Sequence, residues 1–196
     1  MFSEIQERRS IRKYKGDSIP REMVEAVLQA GILAPSSKNR QPWRFVVVSG
    51  ASKQAMLEAM KAGLAREQIY PLLPESGRYL EGARHTLEIM RQAPVTIFVV
   101  NPLGQALSRE WSAEQKVYEI CNAQSVGAAV ENMCLAATEL GLGSLWICDT
   151  YFAYHELCAF LGTEGELFAA LALGYPDEAP PARPRRLLSE VAEWRA

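Results

Sequence analysis

The stretch that says most about the fold is Ala34-Pro35-Ser36-Ser37-Lys38-Asn39-Arg40-Gln41-Pro42-Trp43-Arg44-Phe45. A helical pattern ends before Pro35, and an apolar run typical of a strand begins after Pro42. The residues between the two prolines form a polar loop that must hold one shape. Such a loop could bind a flat ligand rich in nitrogen and oxygen through backbone and side chain together. A plain polar connection between a helix and a strand would explain the same residue types.

Outward from this loop, the chain alternates helical and strand patterns that we assign to a single domain, residues 1–196. The predicted strands are 43–48, 95–100, 144–148 and 167–173, and the predicted helices are 20–34, 52–60, 78–91, 115–140 and 155–160. Prolines make the tail 180–186 extended. Residues 61–92 are the variable part, because Pro71, Pro74 and Gly77 interrupt them, and irregular segments of this kind often cover a substrate site.

Composition excludes several classes of protein. The net charge of −2 gives no reason to expect a nucleic-acid partner, and no apolar run reaches the roughly eighteen residues of a membrane span. The four cysteines are separated by 13, 14 and 10 residues, which fits neither a redox motif nor a zinc site. They lie among apolar residues, and Met1–Ser10 has no apolar core of a secretory signal. We therefore expect a cytoplasmic protein with buried, reduced thiols, no metal and no membrane partner.

Two basic clusters stand near the ends of the chain. Five positive charges fall between Arg8 and Lys15, and in an extended segment Arg8, Ser10 and Arg12 point to one side. Two guanidinium groups and a hydroxyl on one face suit a phosphate. On charge alone, a solvated basic N-terminus explains these residues better than a phosphate site does. The second cluster lies at 183–186, and the sequence does not tell whether the two clusters meet on one anion.

The familiar catalytic constellations are missing from the sequence. Neither His85 nor His155 lies in a metal or triad motif, and Ser36 and Ser37 lack a nearby base. No phosphate-binding glycine motif occurs. An enzyme without a nucleophile, base or metal often leaves the chemistry to a bound cofactor, so we predict no catalytic side chain.

Taken together, the motifs resemble those of the FMN-dependent nitroreductases. The resemblance runs in order along nearly the whole chain, apart from residues 61–92. It is carried by the segments Arg8–Tyr14, Ala34–Phe45, Ser125–Met133, Gly141–Ile147, Leu171–Pro176 and Arg183–Arg185.

The resemblance implies an α+β fold with a mixed four- to five-stranded sheet flanked by helices, in an intertwined homodimer with FMN sites shared between subunits. It implies that the FMN phosphate and ribityl chain are held by Arg8, Arg9, Ser10 and Arg12, and also by Arg183 and Arg185. The flavin ring would be lined from the partner subunit by Pro35, Ser36, Ser37 and Asn39, with Gln41 as a further candidate. Gln124 and Ser125 would open the central helix beside the flavin, and Gly143, Ser144 and Leu145 would offer backbone groups near the ring.

The function implied by the resemblance is an FMN-dependent oxidoreductase. It would take hydride from NADH or NADPH and reduce nitroaromatic, quinone or related small-molecule acceptors by a ping-pong mechanism at flavin N5. Three alternatives stay open at this point. One is a flavin-binding storage or sensing module without useful turnover, and another is a family member with a different reaction, such as reductive dehalogenation. The third is a small basic-patch protein that binds the phosphates of RNA or a nucleotide.

Overall fold

The structure is a computed structural model that describes residues 2–104, 110–163 and 166–195. Its helices and strands, in chain order, are α1 (Ser3–Glu7), α2 (Arg21–Ile32), β1 (Arg44–Ser49), α3 (Ser52–Ile69), α4 (Leu80–Gln92), β2 (Val95–Asn101), α5 (Ala113–Glu139), β3 (Gly143–Ile147), α6 (Tyr154–Leu161), β4 (Glu166–Gly174) and α7 (Leu188–Val191). Short 3₁₀ turns lie at Ser37–Asn39, Pro74–Tyr79 and Asp149–Ala153. None of the described helices is long and apolar enough to cross a membrane.

The described strands form one sheet in the order β1-β2-β4-β3, and each neighbouring pair is antiparallel. Every residue of the central strand β2 is buried. Its side chains alternate between the two faces of the sheet, as the pleat requires. Phe98 and Val100 pack in the cluster that includes α3, α4 and α6, whereas Ile97 and Val99 pack in the cluster that includes α2 and α5. The sheet is therefore covered by helices on both faces.

The basic N-terminal segment lies along the edge of this sheet. Ser10 forms a parallel bridge with Ser144 of β3, and the Ile11 N–H donates to the Ser144 carbonyl at 2.9 Å. Further along, the Lys15 N–H donates to the Tyr175 carbonyl at 2.9 Å. The α+β fold with a four-stranded sheet is confirmed. The named strands pair antiparallel throughout, and the parallel Ser10–Ser144 bridge lies outside them. The homodimer and a fifth strand stay predictions.

The segment 61–92 is more regular than its sequence suggests. The helix predicted at 52–60 continues to Ile69, and α4 follows after a short 3₁₀ turn. Glu67, only 4 % exposed, holds the chain where α3 ends. Its carboxylate accepts from the backbone N–H groups of Leu72 and Leu73 at 2.9 and 2.7 Å, and it pairs with Arg66. The prolines end the helical pattern after α3, and this buried carboxylate with its partners fixes the turn that follows.

The four cysteines are free thiols, but their environments differ. Cys134 is buried, Cys121 and Cys158 are half-buried, and Cys148 is exposed. The expectation of buried thiols is therefore confirmed for Cys134, holds only in part for Cys121 and Cys158, and is wrong for Cys148, which follows the last residue of β3 and leaves the core. Burial raises the pKa values of the Cys134 and Cys158 thiols to about 11, so both are protonated at neutral pH.

Candidate functional site

The two basic clusters meet at one cavity of about 250 Å³. Arg8, Arg9, Ser10 and Arg12 line it from the N-terminal segment, and the tail from Pro180 to Arg183, with Arg185, closes the other side. The sequence left open whether these clusters converge, and they do. A cavity of this size lies just below the usual range of small-molecule sites, so it suits a phosphate with a short chain attached.

The backbone of the N-terminal segment is fixed so that its arginines face this cavity. Ile11 is buried and packs tightly on Gly143, where an added Cβ would lie 2.8 Å from the Ile11 side chain. One residue on, the backbone N–H groups of Arg12 and Lys13 both donate to the Glu178 carboxylate. With Ile11 turned inward, Arg12 turns outward, as expected of extended chain.

Electrostatics make the cavity receptive to an anion. Arg8 pairs with Glu131 at 3.5 Å. The guanidinium groups of Arg9 and Arg12 donate to uncharged backbone carbonyls, Arg9 to Gln6 at 2.6 Å and Arg12 to Ser10 at 3.1 Å. In the described ranges, no ion pair involves four of the lining arginines, namely Arg9, Arg12, Arg183 and Arg185. Carbonyl oxygens orient these groups but do not neutralise them, so the cavity keeps a net positive charge.

The Ala34–Phe45 loop holds an unusual backbone shape. Lys38, Asn39 and Gln41 have positive φ angles of 53°, 52° and 49°, a region that costs energy for a residue with a Cβ. The Ser36 hydroxyl accepts from the Gln41 N–H at 3.0 Å, and the Ser36 carbonyl accepts from the Asn39 N–H at 2.9 Å. Strained residues persist only where the surroundings enforce them, and they cluster at functional sites.

The loop is also attached to α5 through Ser125. The buried Ser125 hydroxyl accepts from the Ser37 N–H at 3.3 Å and donates to the Cys121 carbonyl at 2.8 Å. The prediction that Gln124 and Ser125 open the central helix is wrong, because Ser112 and Gln115 form a capping box that begins the helix at Ala113. Both residues lie inside the helix, Gln124 exposed and Ser125 committed to the loop. The helix predicted at 115–140 already began within two residues of this start, which the Ser-x-x-Gln spacing at 112–115 marks.

The β3 residues Gly143, Ser144 and Leu145 are buried next to the basic segment. The Ser144 carbonyl already accepts the Ile11 N–H, so its free hydrogen-bonding capacity is reduced. The lining of the basic cavity includes no residue of the Ala34–Phe45 loop. Within one subunit, the two groups of predicted site residues are therefore not brought together around this cavity. Their contacts with a cofactor stay predictions.

Glu178 is a site residue that the sequence did not reveal. It is an acidic residue close to a basic cavity, yet its carboxylate binds backbone N–H groups and not a guanidinium. This contact joins residues 166 positions apart, and no local pattern marks it.

Replacing Ser125 by alanine is expected to loosen the loop. The Ser37 N–H would lose its acceptor, which should cost about 0.5–1.5 kcal/mol and speed hydrogen exchange at that amide. Thr138→Val is the matched control, because the Thr138 hydroxyl makes the same kind of bond to the Cys134 carbonyl, at 2.9 Å, on the same helix. Equal exchange at Ser37 in the Ser125→Ala variant and in the unmodified chain would contradict the anchoring role.

Comparison with known proteins identifies the family. The family model described as "Nitroreductase family" matches residues 5–175, so the chain belongs to the nitroreductase family. It is 30% identical over 203 residues to the NADH dehydrogenase of Thermus thermophilus, covering 96% of this chain and 92% of the relative. It is 26% identical over 187 residues to the iodotyrosine deiodinase of Thermotoga neapolitana, covering 94% and 93%. A solved structure of a candidate nitroreductase in complex with FMN from Desulfovibrio desulfuricans is 28% identical, with a TM-score of 0.73 over 99% of this chain and 95% of that one.

Proposed function

We propose that this chain binds FMN and uses it to carry electrons from NADH or NADPH to a small-molecule acceptor, such as a nitroaromatic compound or a quinone. The observation that carries the proposal is the convergence of Arg8, Arg9, Ser10 and Arg12 with Arg183 and Arg185 around one cavity. Membership of the nitroreductase family and the FMN complex of a 28% identical protein support it.

The residues present fit the phosphate end of FMN. A phosphate dianion that loses part of its hydration needs several charged donors, and arginine forks match its oxygens in pairs. Four of the lining arginines make no ion pair in the described ranges. They can therefore donate to a phosphate without first breaking an ion pair. The Ser10 side chain adds a hydroxyl at the same cavity.

The chemistry would come from the cofactor and not from a side chain. Bound FMN would supply hydride-transfer chemistry at N5, between a nicotinamide and an acceptor that use the same face in turn, which would give ping-pong behaviour. The protein would position the ring and exclude water from it. The protonated thiols of Cys134 and Cys158 agree with a site that uses no thiolate nucleophile.

We further propose that each FMN site is shared between two copies of the chain. Pro35, Ser36, Ser37, Asn39 and Gln41 of the partner subunit would line the flavin ring, next to the β3 residues Gly143–Leu145 and to Gln124 of α5. The absence of loop residues from the basic cavity of the same subunit supports this arrangement.

Exposed apolar residues of the tail and of α5 also favour a homodimer. Leu187, Leu188 and Trp194 are 69%, 69% and 87% exposed, and Val117 and Ile120 on α5 are 56% and 58% exposed. Several large apolar side chains left exposed on these two segments are consistent with surfaces that a second copy of the chain covers.

Anaerobic reduction tests the proposal. The purified protein is expected to absorb near about 450 nm, as oxidised flavins do, and to bleach on addition of NADH or NADPH. Reoxidation by a panel of nitroaromatics, quinones and halogenated phenols then identifies the acceptor class. A protein that binds FMN but oxidises neither nicotinamide would instead favour flavin storage. A colourless protein that does not bind added FMN would contradict the proposal.

A further inference from the structure

The N-terminal segment and the tail run antiparallel to each other just before they reach the basic cavity. Tyr14 and Pro176 form an isolated antiparallel bridge. Next to it, the Asp177 N–H donates to the Lys13 carbonyl at 2.9 Å. The two segments that supply the arginines of the cavity are therefore joined, backbone to backbone, at this point.

This short ladder ends where a side chain takes over from the backbone. Pro180 and Pro181 follow in the tail and have no N–H to donate back to the N-terminal segment. The backbone N–H groups of Arg12 and Lys13 donate instead to one oxygen, Oε1, of the Glu178 carboxylate. Two successive N–H groups on one anionic oxygen make a charge-assisted contact, which is stronger than a bond between neutral groups. Glu178 therefore holds the last joined residues before the two segments separate.

Glu178 lies behind the cavity and does not line it. In the part of the chain that the structure describes, its carboxylate makes no ion pair. Its charge is taken up by backbone donors, so the arginines in front of it stay available to an anion. A role in binding would therefore have to act through the backbone of Arg12.

We propose that Glu178 is the positioning residue for the phosphate of FMN, because it sets the distance between the two arginine walls of the cavity. The inference rests on the proposed function. On one side Glu178 holds the backbone from which Arg12 faces the cavity, and on the other the second wall begins two residues further on, at Pro180. Donor groups bind a ligand well only when they are held within about 0.5 Å of the productive geometry. Loss of this anchor should therefore weaken phosphate binding although every arginine is still present.

The sign of the effect separates positioning from simple attraction. Removing a carboxylate beside a basic cavity should by Coulomb forces alone raise its affinity for a phosphate. Positioning predicts the opposite. Glu178→Ala is expected to lower the affinity of flavin-free protein for FMN about 5- to 20-fold, since the lost contact is charge-assisted and part of its energy holds Arg12 in place. Affinity for riboflavin, which lacks the phosphate, should change less than about 2-fold, and Glu178→Gln, which keeps an acceptor oxygen, should restore most of the affinity for FMN.

Asp177→Ala is the matched control. It removes the same charge from the preceding residue, but Asp177 is exposed, and in the described part of the chain only its backbone N–H makes a hydrogen bond. This variant should bind FMN as well as the unmodified chain or slightly better. An unchanged or higher FMN affinity in Glu178→Ala overturns the proposal, and so do equal losses for FMN and riboflavin, which would show general damage to the fold.

Hydrogen exchange in flavin-free protein tests the anchor without any cofactor. The amides of Arg12 and Lys13 should exchange about 10-fold faster in Glu178→Ala, whereas the Ile11 amide, which donates to the Ser144 carbonyl, should keep its rate. If Glu178→Ala does not fold, Glu178→Met keeps the bulk of the side chain and removes both oxygens. Unchanged exchange at both amides contradicts the anchoring role whether or not flavin binds. An unmodified chain that binds no FMN contradicts the proposed function, and the exchange rates still decide what Glu178 holds.

Discussion

Replacing Arg12 by alanine is expected to weaken FMN binding by about 1.5–3 kcal/mol, which is roughly a 10- to 150-fold loss of affinity. Arg12 lines the basic cavity, and its guanidinium is held by the Ser10 carbonyl without any ion pair in the described ranges. The backbone N–H of residue 12 would still donate to Glu178, so the fold should be retained. Titration of flavin-free protein with FMN measures the loss.

Lys13→Ala is the matched control for this experiment. It removes the same charge from the next residue, but Lys13 is exposed and does not line the cavity. Its FMN affinity should change by less than about 0.5 kcal/mol, as screened surface charges do. Equal losses in both variants would show that general attraction, and not a phosphate contact of Arg12, holds the cofactor.

Replacing Glu166 by glutamine is expected to stabilise the protein in alkaline solution by at most about 3 kcal/mol. Glu166 begins β4 and is only 2 % exposed. One carboxylate oxygen accepts from the Tyr154 hydroxyl at 2.9 Å, and the other is buried without a partner among the described residues. Burial, with a smaller contribution from the nearby Glu119 charge, raises the pKa of this carboxyl from its ordinary 4.5 to about 7.

The sign of the pH dependence follows from this raised pKa. Below pH 4.5 the carboxyl is protonated in both the folded and the unfolded chain, so it costs nothing. Between 4.5 and about 7 the unfolded chain releases a proton that the folded chain keeps, so the free energy of unfolding falls as pH rises. Well above pH 7 the carboxyl is ionised in both states, and the full cost of burying its charge lowers the free energy of unfolding. The gain from Glu166→Gln should therefore be small at pH 4.5 and largest above pH 8.

Urea unfolding of wild type and variant across this pH range, at one protein concentration, measures the difference. Glu58→Gln is the control, because Glu58 is an exposed residue in the middle of α3 and its replacement should change stability by less than about 0.5 kcal/mol at any pH. A gain from Glu166→Gln that does not vary with pH would mean that packing, and not the buried charge, is the cause.

Local patterns in the sequence were enough to predict the frame of the fold. The apolar run at 95–100 lies between helical patterns, and a strand covered on both faces needs apolar residues on both sides. The spacing of Val126, Val130 and Met133 marked the buried stripe of α5 in the same way. Pro35 and Pro42 marked the two ends of the polar loop correctly, because α2 ends before Pro35 and β1 begins after Pro42.

The parts that sequence reasoning missed depend on contacts between distant residues. The N-terminal arginines meet the tail because Glu178 binds the backbone of residues 12 and 13, more than 160 positions away. The loop reaches α5 through Ser37 and Ser125, which are 88 residues apart. No window of neighbouring residues contains these partners.

Complementation between two inactive variants tests the shared FMN site most directly. Arg12→Glu should disable the phosphate cavity, and Pro35→Trp should fill the place of the flavin ring from an exposed position on the loop. Heterodimers isolated with two affinity tags would then contain one site with both defects and one site with neither. The shared-site account predicts about half of the wild-type FMN content per dimer, because a two-fold dimer has two sites and one is fully wild type. Heterodimers that bind no more FMN than either parent variant would contradict it.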